Sequence, residues 1–243
     1  MTGVDRLAAE VACLVIVDVL SFTTAVSVAV EAGLRVPPFR LPDGPAIAAE
    51  QAGAEKAATV YARQSGARLT VARRAVTPGS AWSLSPAPLR AAPFLARLVL
   101  PSPSCAAIAA ATPPRVQVIA ACLRSISAVG SWLTARGYGT PKRPVAGIAA
   151  GERWPDGSPR PALEDLLGTG GLISDLHAQG AGPLSAAKAA YEGTADLPRA
   201  ITASFSAREL AATGFTADVA IATEEDISSV VPVRDGDGVF TSG

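Results

Sequence analysis

The sequence has 243 residues and carries equal numbers of basic and acidic side chains, 21 Lys plus Arg and 21 Asp plus Glu, so its formal net charge is zero. This balance excludes the strongly basic surface that nucleic-acid binding requires. Hydrophobic residues make up 49% of the chain, but no apolar run reaches the ~18 residues of a membrane span. We therefore expect neither a nucleic-acid nor a membrane partner. The start "MTGVDRLAAE" lacks a signal-peptide layout, which favours a cytoplasmic location.

The few cysteines and the single histidine exclude several common kinds of site. Cys13, Cys105 and Cys122 are far apart and lack the spacing of a zinc site or a disulfide framework, so we interpret them as buried free thiols. His177 is the only histidine, and a Ser-His-Asp hydrolase would have to use it. Its polar neighbours favour a surface position instead.

One structural unit recurs along the chain, in which a short apolar run leads through small polar residues into an alanine-rich helical stretch. The apolar runs are "CLVIVDVL" (13–20), "ARLVL" (96–100), "VQVIAA" (116–121) and "RPVAGIAA" (143–150). We also expect such units at "EKAATVYARQSG" and at "ADVAIATEED" followed by "SSVVPVRDG". Continuous apolar runs are typical of strands covered on both faces. The sequence therefore predicts an α/β fold with a mostly parallel or mixed sheet and helices on both faces.

The joints between the predicted elements are rich in proline and glycine, as in "VPPFRLPDGP" (36–45) and "GERWPDGSPRP" (151–161). Such segments continue neither a helix nor a sheet and so delimit elements. None is long enough to be a linker between independent domains. We predict a single domain over 1–243, with a smaller subregion around 180–215.

Polar residues follow the predicted strands, at the edge where open parallel sheets bind ligands. A hard cation prefers carboxylate oxygens, whereas hydroxyl and guanidinium groups bind anions. The candidates for these two roles are Asp18, Ser21, Thr23, Thr24, Ser102, Ser104, Arg124, Glu152, Arg153, Glu164 and Asp165.

Each candidate also has a structural interpretation. Asp18 would also serve as a strand end or helix cap, and the hydroxyls of "SFTT" and "PSPS" are ordinary caps. Acids in a first helical turn, such as Glu164 and Asp165, are favoured by the helix dipole by ~0.3–1 kcal/mol each. From these residues alone, the sequence indicates an α/β domain with an acid-plus-hydroxyl crevice and leaves its function open.

The ordered series of segments resembles the ComB family of 2-phosphosulfolactate phosphatases over about residues 12 to 233. The segments that carry the resemblance are "VIVDVLSFTTAVSVAVEAG", "GSAWSLSP", "LVLPSPSCAAI", "AACLRSISAVGSWL", "GIAAGER…ALEDLLGTGGLISDL" and "ADVAIATEEDISSVVP". Asp18 matches the aspartate of the family's Asp-Val-Leu-Arg segment, and Thr23 and Thr24 match the threonines that follow. Ser85 matches the family's Ser-Pro, Ser104 the last threonine of Thr-Asn-Gly-Thr, and Glu164 and Asp165 the Glu-Asp pair.

The resemblance implies a Mg²⁺-dependent phosphatase that converts 2-phosphosulfolactate and water to sulfolactate and phosphate, a step in coenzyme M biosynthesis. It implies that Asp18, Glu164 and Asp165 hold the metal and act in catalysis, and that the substrate is a small phosphorylated anion. Ser21, Thr23, Thr24, Ser85, Ser102, Ser104, Arg124, Glu152 and Arg153 would then bind this substrate. A homodimer is possible, but no residue pattern in the sequence bears on the oligomeric state.

The chain departs from the family pattern on the anion-binding side. Ser21 stands where the family has an arginine, Leu84 replaces an asparagine, and Ser102 and Pro103 replace Asn-Gly. A serine cannot replace the rigid fork of an arginine. These losses favour a rival hypothesis, a catalytically weakened or inactive relative that binds a small anionic metabolite. A third and weaker hypothesis is a metal-dependent lyase or isomerase that acts on a phosphorylated acid.

Overall fold

The computed structural model describes residues 3–39, 48–76, 82–91, 96–102, 104–154, 156–178, 180 and 185–243. Within these residues there are eleven α-helices: α1 (Gly3–Glu10), α2 (Phe22–Glu31), α3 (Ala48–Gln64), α4 (Pro86–Arg90), α5 (Cys105–Ala111), α6 (Ile126–Ala135), α7 (Leu163–Ala178), α8 (Ala186–Glu192), α9 (Leu197–Thr202), α10 (Phe205–Ala212) and α11 (Thr216–Ala222). Two short 3₁₀ turns span Arg73–Ala75 and Leu123–Ser125.

The described strands are β1 (Cys13–Val17), β2 (Arg68–Leu69), β3 (Leu98–Val99), β4 (Gln117–Ala121), β5 (Val145–Ala149), β6 (Glu152–Arg153), β7 (Pro159–Arg160), β8 (Pro232–Arg234) and β9 (Phe240–Ser242). The main sheet has the order β5-β1-β4-β8-β9. Strands β5, β1 and β4 are parallel, and β8 and β9 are antiparallel to their neighbours. The sheet is therefore mixed, and the predicted α/β class is confirmed.

Alternate residues of β1 face two separate cores, one on each side of the sheet. Cys13, Val15 and Val17 pack with apolar residues of α6 and α7. Ile16 packs on the other face with residues of α2, α4 and α5. All five residues of β1 are buried, as a strand covered on both faces requires. The continuous apolar run "CLVIV" thus sets the central strand of the sheet.

Two sequence predictions differ from the observed elements. The run "ARLVL" contributes only the short β3, which pairs with β2 in a separate two-stranded sheet. The run "ADVAIA" is not a strand but forms most of α11, and the nearby strand is β8. Short apolar runs fit buried helices as well as strands, so periodicity alone does not separate the two.

The fold does not test the predicted domain boundaries. The single domain over 1–243 stays a prediction, and part of the 180–215 subregion, together with Pro103, lies outside the described residues. None of the helices in the described ranges combines the length and the apolar character that are needed to cross a bilayer.

Close packing of α7 against α8 fixes the position of the helix that begins with Glu164 and Asp165. A Cβ atom added at Gly170 would lie 2.1 Å from the carbonyl oxygen and 2.7 Å from the carbonyl carbon of Ala187 in α8. Only glycine permits this approach, because any side chain would force the two helices apart.

We predict that Gly170→Ala lowers the free energy of unfolding by about 1–3 kcal/mol, since overpacking of a close contact costs that much. Urea denaturation monitored by circular dichroism measures the change. The matched control is Gly53→Ala in α3, where an added Cβ meets nothing within 4 Å. This control should gain roughly 0.4–1 kcal/mol. Equal effects of the two substitutions would contradict the prediction.

Candidate functional site

Asp18 follows β1 directly and organises the turn that leads into α2. Its Oδ1 accepts a hydrogen bond from the amide of Phe22 (3.2 Å), and its carbonyl oxygen accepts from the amide of Thr23 (2.9 Å). These are the first amides of α2, so Asp18 caps the helix as an acidic N-terminal residue is expected to do. The amides of Phe22 and Thr23, two of those that could otherwise bind an anion at this helix terminus, are thus already paired.

Cys105, at the start of α5, is a site residue that the sequence reasoning missed. Its thiol donates to Oδ2 of Asp18 at 3.0 Å. Burial and the charge of Asp18 raise the pKa of Cys105 well above its usual value, so the group is a neutral thiol and a donor. The cue was available in the sequence, because Cys105 follows Ser104 directly at a predicted strand-to-helix joint.

Asp165 joins the ends of two neighbouring strands. Its Oδ1 accepts from the amide of Val19 (2.8 Å), just after β1, and its Oδ2 accepts from the amide of Gly151 (2.9 Å), just after β5. Asp165 is 3% exposed and lies in the first turn of α7. Both oxygens keep a second lone pair, but their orientation is fixed by the two backbone bonds.

Glu164, its neighbour, is 1% exposed, and its Oε2 has no hydrogen-bond partner within the described residues. An unpaired buried carboxylate oxygen is costly and calls for a partner such as a cation. Glu164 therefore differs from Asp165, whose two oxygens are already hydrogen-bonded to the backbone.

The four acids at this edge of the sheet act on one another electrostatically. Burial raises the pKa of Asp18, and the charge of Glu164 raises it further, against the bonds from Cys105 and Phe22. Burial and then the charge of Asp18 raise the pKa of Asp165 well above its usual value. Glu152 lies exposed on β6, and partial loss of hydration, together with the charge of Asp18, raises its pKa to about 7. The predicted acids thus influence one another electrostatically at this edge of the sheet.

These acids are of the right chemical kind for a hard divalent cation, although their side chains do not enclose one. In the part of the chain that is described, no group of three or more Asp, Glu, His or Cys side chains is arranged to hold a metal ion. Even so, the unpaired Oε2 of Glu164 and the raised pKa values of Asp18 and Asp165 indicate a cluster whose negative charge is only partly compensated. Mg²⁺ prefers such carboxylate oxygens, so the donor set fits it.

The predicted hydroxyl ligands mostly serve the backbone. Thr23 and Thr24 are fully buried, and their hydroxyls donate to the carbonyl oxygens of Asp18 (2.7 Å) and Val19 (2.8 Å). The hydroxyl of Ser102 accepts from the amide of Cys105 (3.2 Å), which caps α5. The Oγ of Ser104 lies 3.7 Å from the Cys105 sulfur.

The arginines that were proposed to bind the substrate have other contacts. Arg124 is 2% exposed and forms ion pairs with Glu31 and Glu224. Arg153 is exposed and donates to the carbonyl oxygen of Gly157. Nothing in these contacts brings either guanidinium group to Asp18.

A further polar group, also missed in the sequence, lies beside Ser21. Arg73 donates to the Ser21 hydroxyl at 2.6 Å, and its Nε lies 3.5 Å from Oδ2 of Asp218. Oδ1 of Asp218 accepts from the hydroxyl of Ser85 at 2.5 Å. Asp218 lies in "ADVAIATEED", one of the segments that carry the resemblance, but nothing in the sequence showed its contact with Arg73, which is remote along the chain.

We predict that Asp165→Asn lowers the free energy of unfolding by about 1–3 kcal/mol, because an amide leaves one of the two backbone donors unpaired. The isosteric change at the adjacent buried acid, Glu164→Gln, is the matched control. It should leave stability unchanged or raise it, since it removes an uncompensated buried charge. Chemical denaturation in EDTA at pH 7 measures both. A larger loss for Glu164→Gln than for Asp165→Asn would contradict these assignments.

We also predict that the metal-free protein loses stability as the pH rises from about 4.5 to about 7. Over this range the folded protein holds a proton on Glu152 that the unfolded chain has released, so raising the pH favours unfolding. Asp18 and Asp165 act in the same direction. Denaturation curves in EDTA should show a shallower pH dependence for Glu152→Gln than for the wild type, and equal slopes would contradict the prediction.

Comparison with protein families gives the site a context. A family model described as 2-phosphosulpholactate phosphatase matches residues 77–237. The matched segment includes Ser85, Glu152, Glu164 and Asp165, whereas Asp18 precedes it. No protein of curated function matches the chain significantly.

Proposed function

Because the chain belongs to the 2-phosphosulpholactate phosphatase family, we propose that it is a Mg²⁺-dependent phosphatase of a small acidic organophosphate. The family resemblance makes 2-phosphosulfolactate the leading substrate, with sulfolactate and phosphate as products. The observation that carries the proposal is the buried acid cluster beyond the carboxyl ends of β1 and β5, in which Oε2 of Glu164 has no partner.

Asp18, Glu164 and Asp165 are the residues that would hold the metal. When bound, Mg²⁺ would neutralise charge on the phosphoryl oxygens and lower the pKa of water. Asp165 contributes a second function, since its bonds to the amides of Val19 and Gly151 fix the spacing between the two strand ends. The amide of Phe22 and the thiol of Cys105 orient the Asp18 carboxylate, and the Thr23 hydroxyl closes the turn below it.

The second candidate function is binding of an anionic metabolite without turnover. It is favoured by the replacement of the family's arginine by Ser21 and of its Asn-Gly by Ser102 and Pro103, and the hydroxyls of Thr23, Thr24, Ser85 and Ser102 already have partners within the protein. This leaves fewer groups for a transferring phosphoryl group than the sequence indicated. Tight metabolite binding with no release of phosphate would support this alternative over the phosphatase.

The test of the phosphatase is the release of inorganic phosphate from a panel of small phosphorylated acids, in Mg²⁺ and in EDTA. Phenyl phosphate serves as a substrate without a carboxylate or sulfonate. We expect turnover of the acids in Mg²⁺ only. Asp165→Asn and Glu164→Gln should each reduce activity or metal affinity roughly 10–100-fold or more. Glu10→Gln, an exposed acid on α1, is the control and should retain activity. Equal turnover in EDTA would contradict the metal dependence.

Binding of the metal is tested separately from catalysis. We predict that Mg²⁺ raises the melting temperature, since a cation relieves repulsion among the buried acids. At 100 times its Kd, a ligand stabilises the folded state by about 2.7 kcal/mol, which for this length is a shift of roughly 5–10 °C. Glu164→Gln should reduce this shift strongly, and an undiminished shift would place the cation elsewhere.

A further inference from the structure

Most of the described hydroxyls and helix amides near Asp18 are already hydrogen-bonded within the protein, so another group must bind the anionic part of the substrate. Thr23, Thr24 and Ser102 are engaged with the backbone, and the first amides of α2 are engaged with Asp18. A dianionic ligand beside an acid cluster needs positive charge from the protein. Arg73 is the arginine that the described contacts bring next to Ser21, three residues after Asp18.

The position of Arg73 is fixed by groups around its guanidinium. Nη2 donates to the Ser21 hydroxyl (2.6 Å) and to the carbonyl oxygen of Leu84 (3.2 Å). The plane of the group lies near the Phe215 ring, with Cζ 5.4 Å from the ring centroid. Arg73 is therefore held before any ligand arrives, which reduces the entropy that binding would cost.

Arg73 is held without being fully satisfied. Its Nε lies 3.5 Å from Oδ2 of Asp218 but makes no hydrogen bond, and this Oδ2 is also buried without a hydrogen-bond partner. Within the described residues, no hydrogen bond of the Nη1 group is seen. The Arg73 side chain keeps 20% of its surface exposed, so a ligand from solvent can reach it. Its charge also extends to the acid crevice, where it lowers the pKa of Asp18.

We infer that Arg73 binds an oxyanion of the substrate, either its phosphoryl or its carboxylate group, with Ser21 beside it. Arg73 lies in a 3₁₀ turn 52 residues after Ser21. It therefore places a guanidinium group beside Ser21, the serine that stands where the family has an arginine. An arginine suits this role because its planar fork bonds two oxygens of a phosphate or a carboxylate at once.

Asp218 and Ser85 act as positioning residues for Arg73. Oδ1 of Asp218 is occupied by the Ser85 hydroxyl (2.5 Å) and faces the amide of Ala87 (3.4 Å), which leaves Oδ2 directed at the Nε of Arg73. Ser85, which the sequence analysis proposed as a substrate ligand, therefore contacts Arg73 only indirectly, through Asp218. The inference relies on the proposed function for the identity of the substrate, but not for the binding of an oxyanion.

The experiment measures binding to the full-length protein by calorimetry and by ligand-induced change in melting temperature, in EDTA and in Mg²⁺. The probes are inorganic phosphate and lactate, which separate the phosphoryl and carboxylate roles. The variants are Arg73→Gln, Arg73→Lys and the control Arg35→Gln, which removes an arginine paired with Asp235 on another part of the chain. Each variant is compared with and without ligand, so a general loss of stability does not imitate a loss of binding.

We expect Arg73→Gln to raise the Kd of at least one probe by about 10-fold or more, as the loss of a charged hydrogen bond predicts. Arg73→Lys should recover part of the affinity, because it restores the charge without the fork, and Arg35→Gln should bind as the wild type does. If only phosphate binding is lost, Arg73 binds the phosphoryl group, and if only lactate binding is lost, it binds the carboxylate. If Arg73→Gln fails to fold, Arg73→Lys still must weaken binding.

Unchanged affinity of the Arg73 variants for both probes would overturn the inference, as would a wild type that binds neither. The two proposals fail separately. A protein that binds phosphate through Arg73 but releases none from any substrate would refute the phosphatase and retain the oxyanion site. If the protein hydrolyses the phosphorylated acids and Arg73→Gln keeps the wild-type KM, the phosphatase is supported and the oxyanion site at Arg73 is refuted.

Discussion

The two hydrogen bonds of the Asp165 carboxylate are the contact on which the candidate site depends. They connect the first turn of α7 to the backbone just after β1 and just after β5, which are neighbours in the sheet. Asp18, Glu164 and Glu152 belong to these same three segments. Without the Asp165 carboxylate, which bridges the two strand ends, the positions of these acids relative to one another would not be fixed by a shared hydrogen-bonded contact. The close packing of Gly170 against α8 also helps to fix the position of α7.

The cost of this arrangement is the burial of like charges near one another. Burial and mutual repulsion raise the pKa values of Asp18 and Asp165, so folding opposes the ionised state that a metal ligand needs. Active sites commonly hold such unfavourable groups, because a ligand compensates what the protein alone does not. The neutral thiol of Cys105 is a partial remedy, since it donates to Asp18 without adding charge that would compete with a cation.

The parts of the fold that the sequence predicted are those with a local pattern. The apolar runs at β1, β4 and β5 and the acidic start of α7 follow from periodicity and capping rules, and the family assignment is confirmed by the match over residues 77–237. The carboxyl-end rule also selected Asp18 and Glu164, whose charges influence each other in the structure, and their role as site residues stays a prediction. Arg73 and Asp218 escaped prediction because their contact depends on tertiary packing between segments that are remote in sequence. The helix at "ADVAIA" escaped prediction because a short apolar run fits a buried helix as well as a strand.

The location of Arg73 has an implication for how the substrate range of this family changes. Asp18 directly follows the central strand β1, and Glu164 and Asp165 lie in the first turn of the long helix α7, whereas Arg73 lies in a three-residue turn outside the main sheet. On the oxyanion role inferred for Arg73, substitutions in that turn would alter which anions are accepted while the acidic residues themselves stay in place. Laboratory evolution could then exchange one acidic ester for another through this turn.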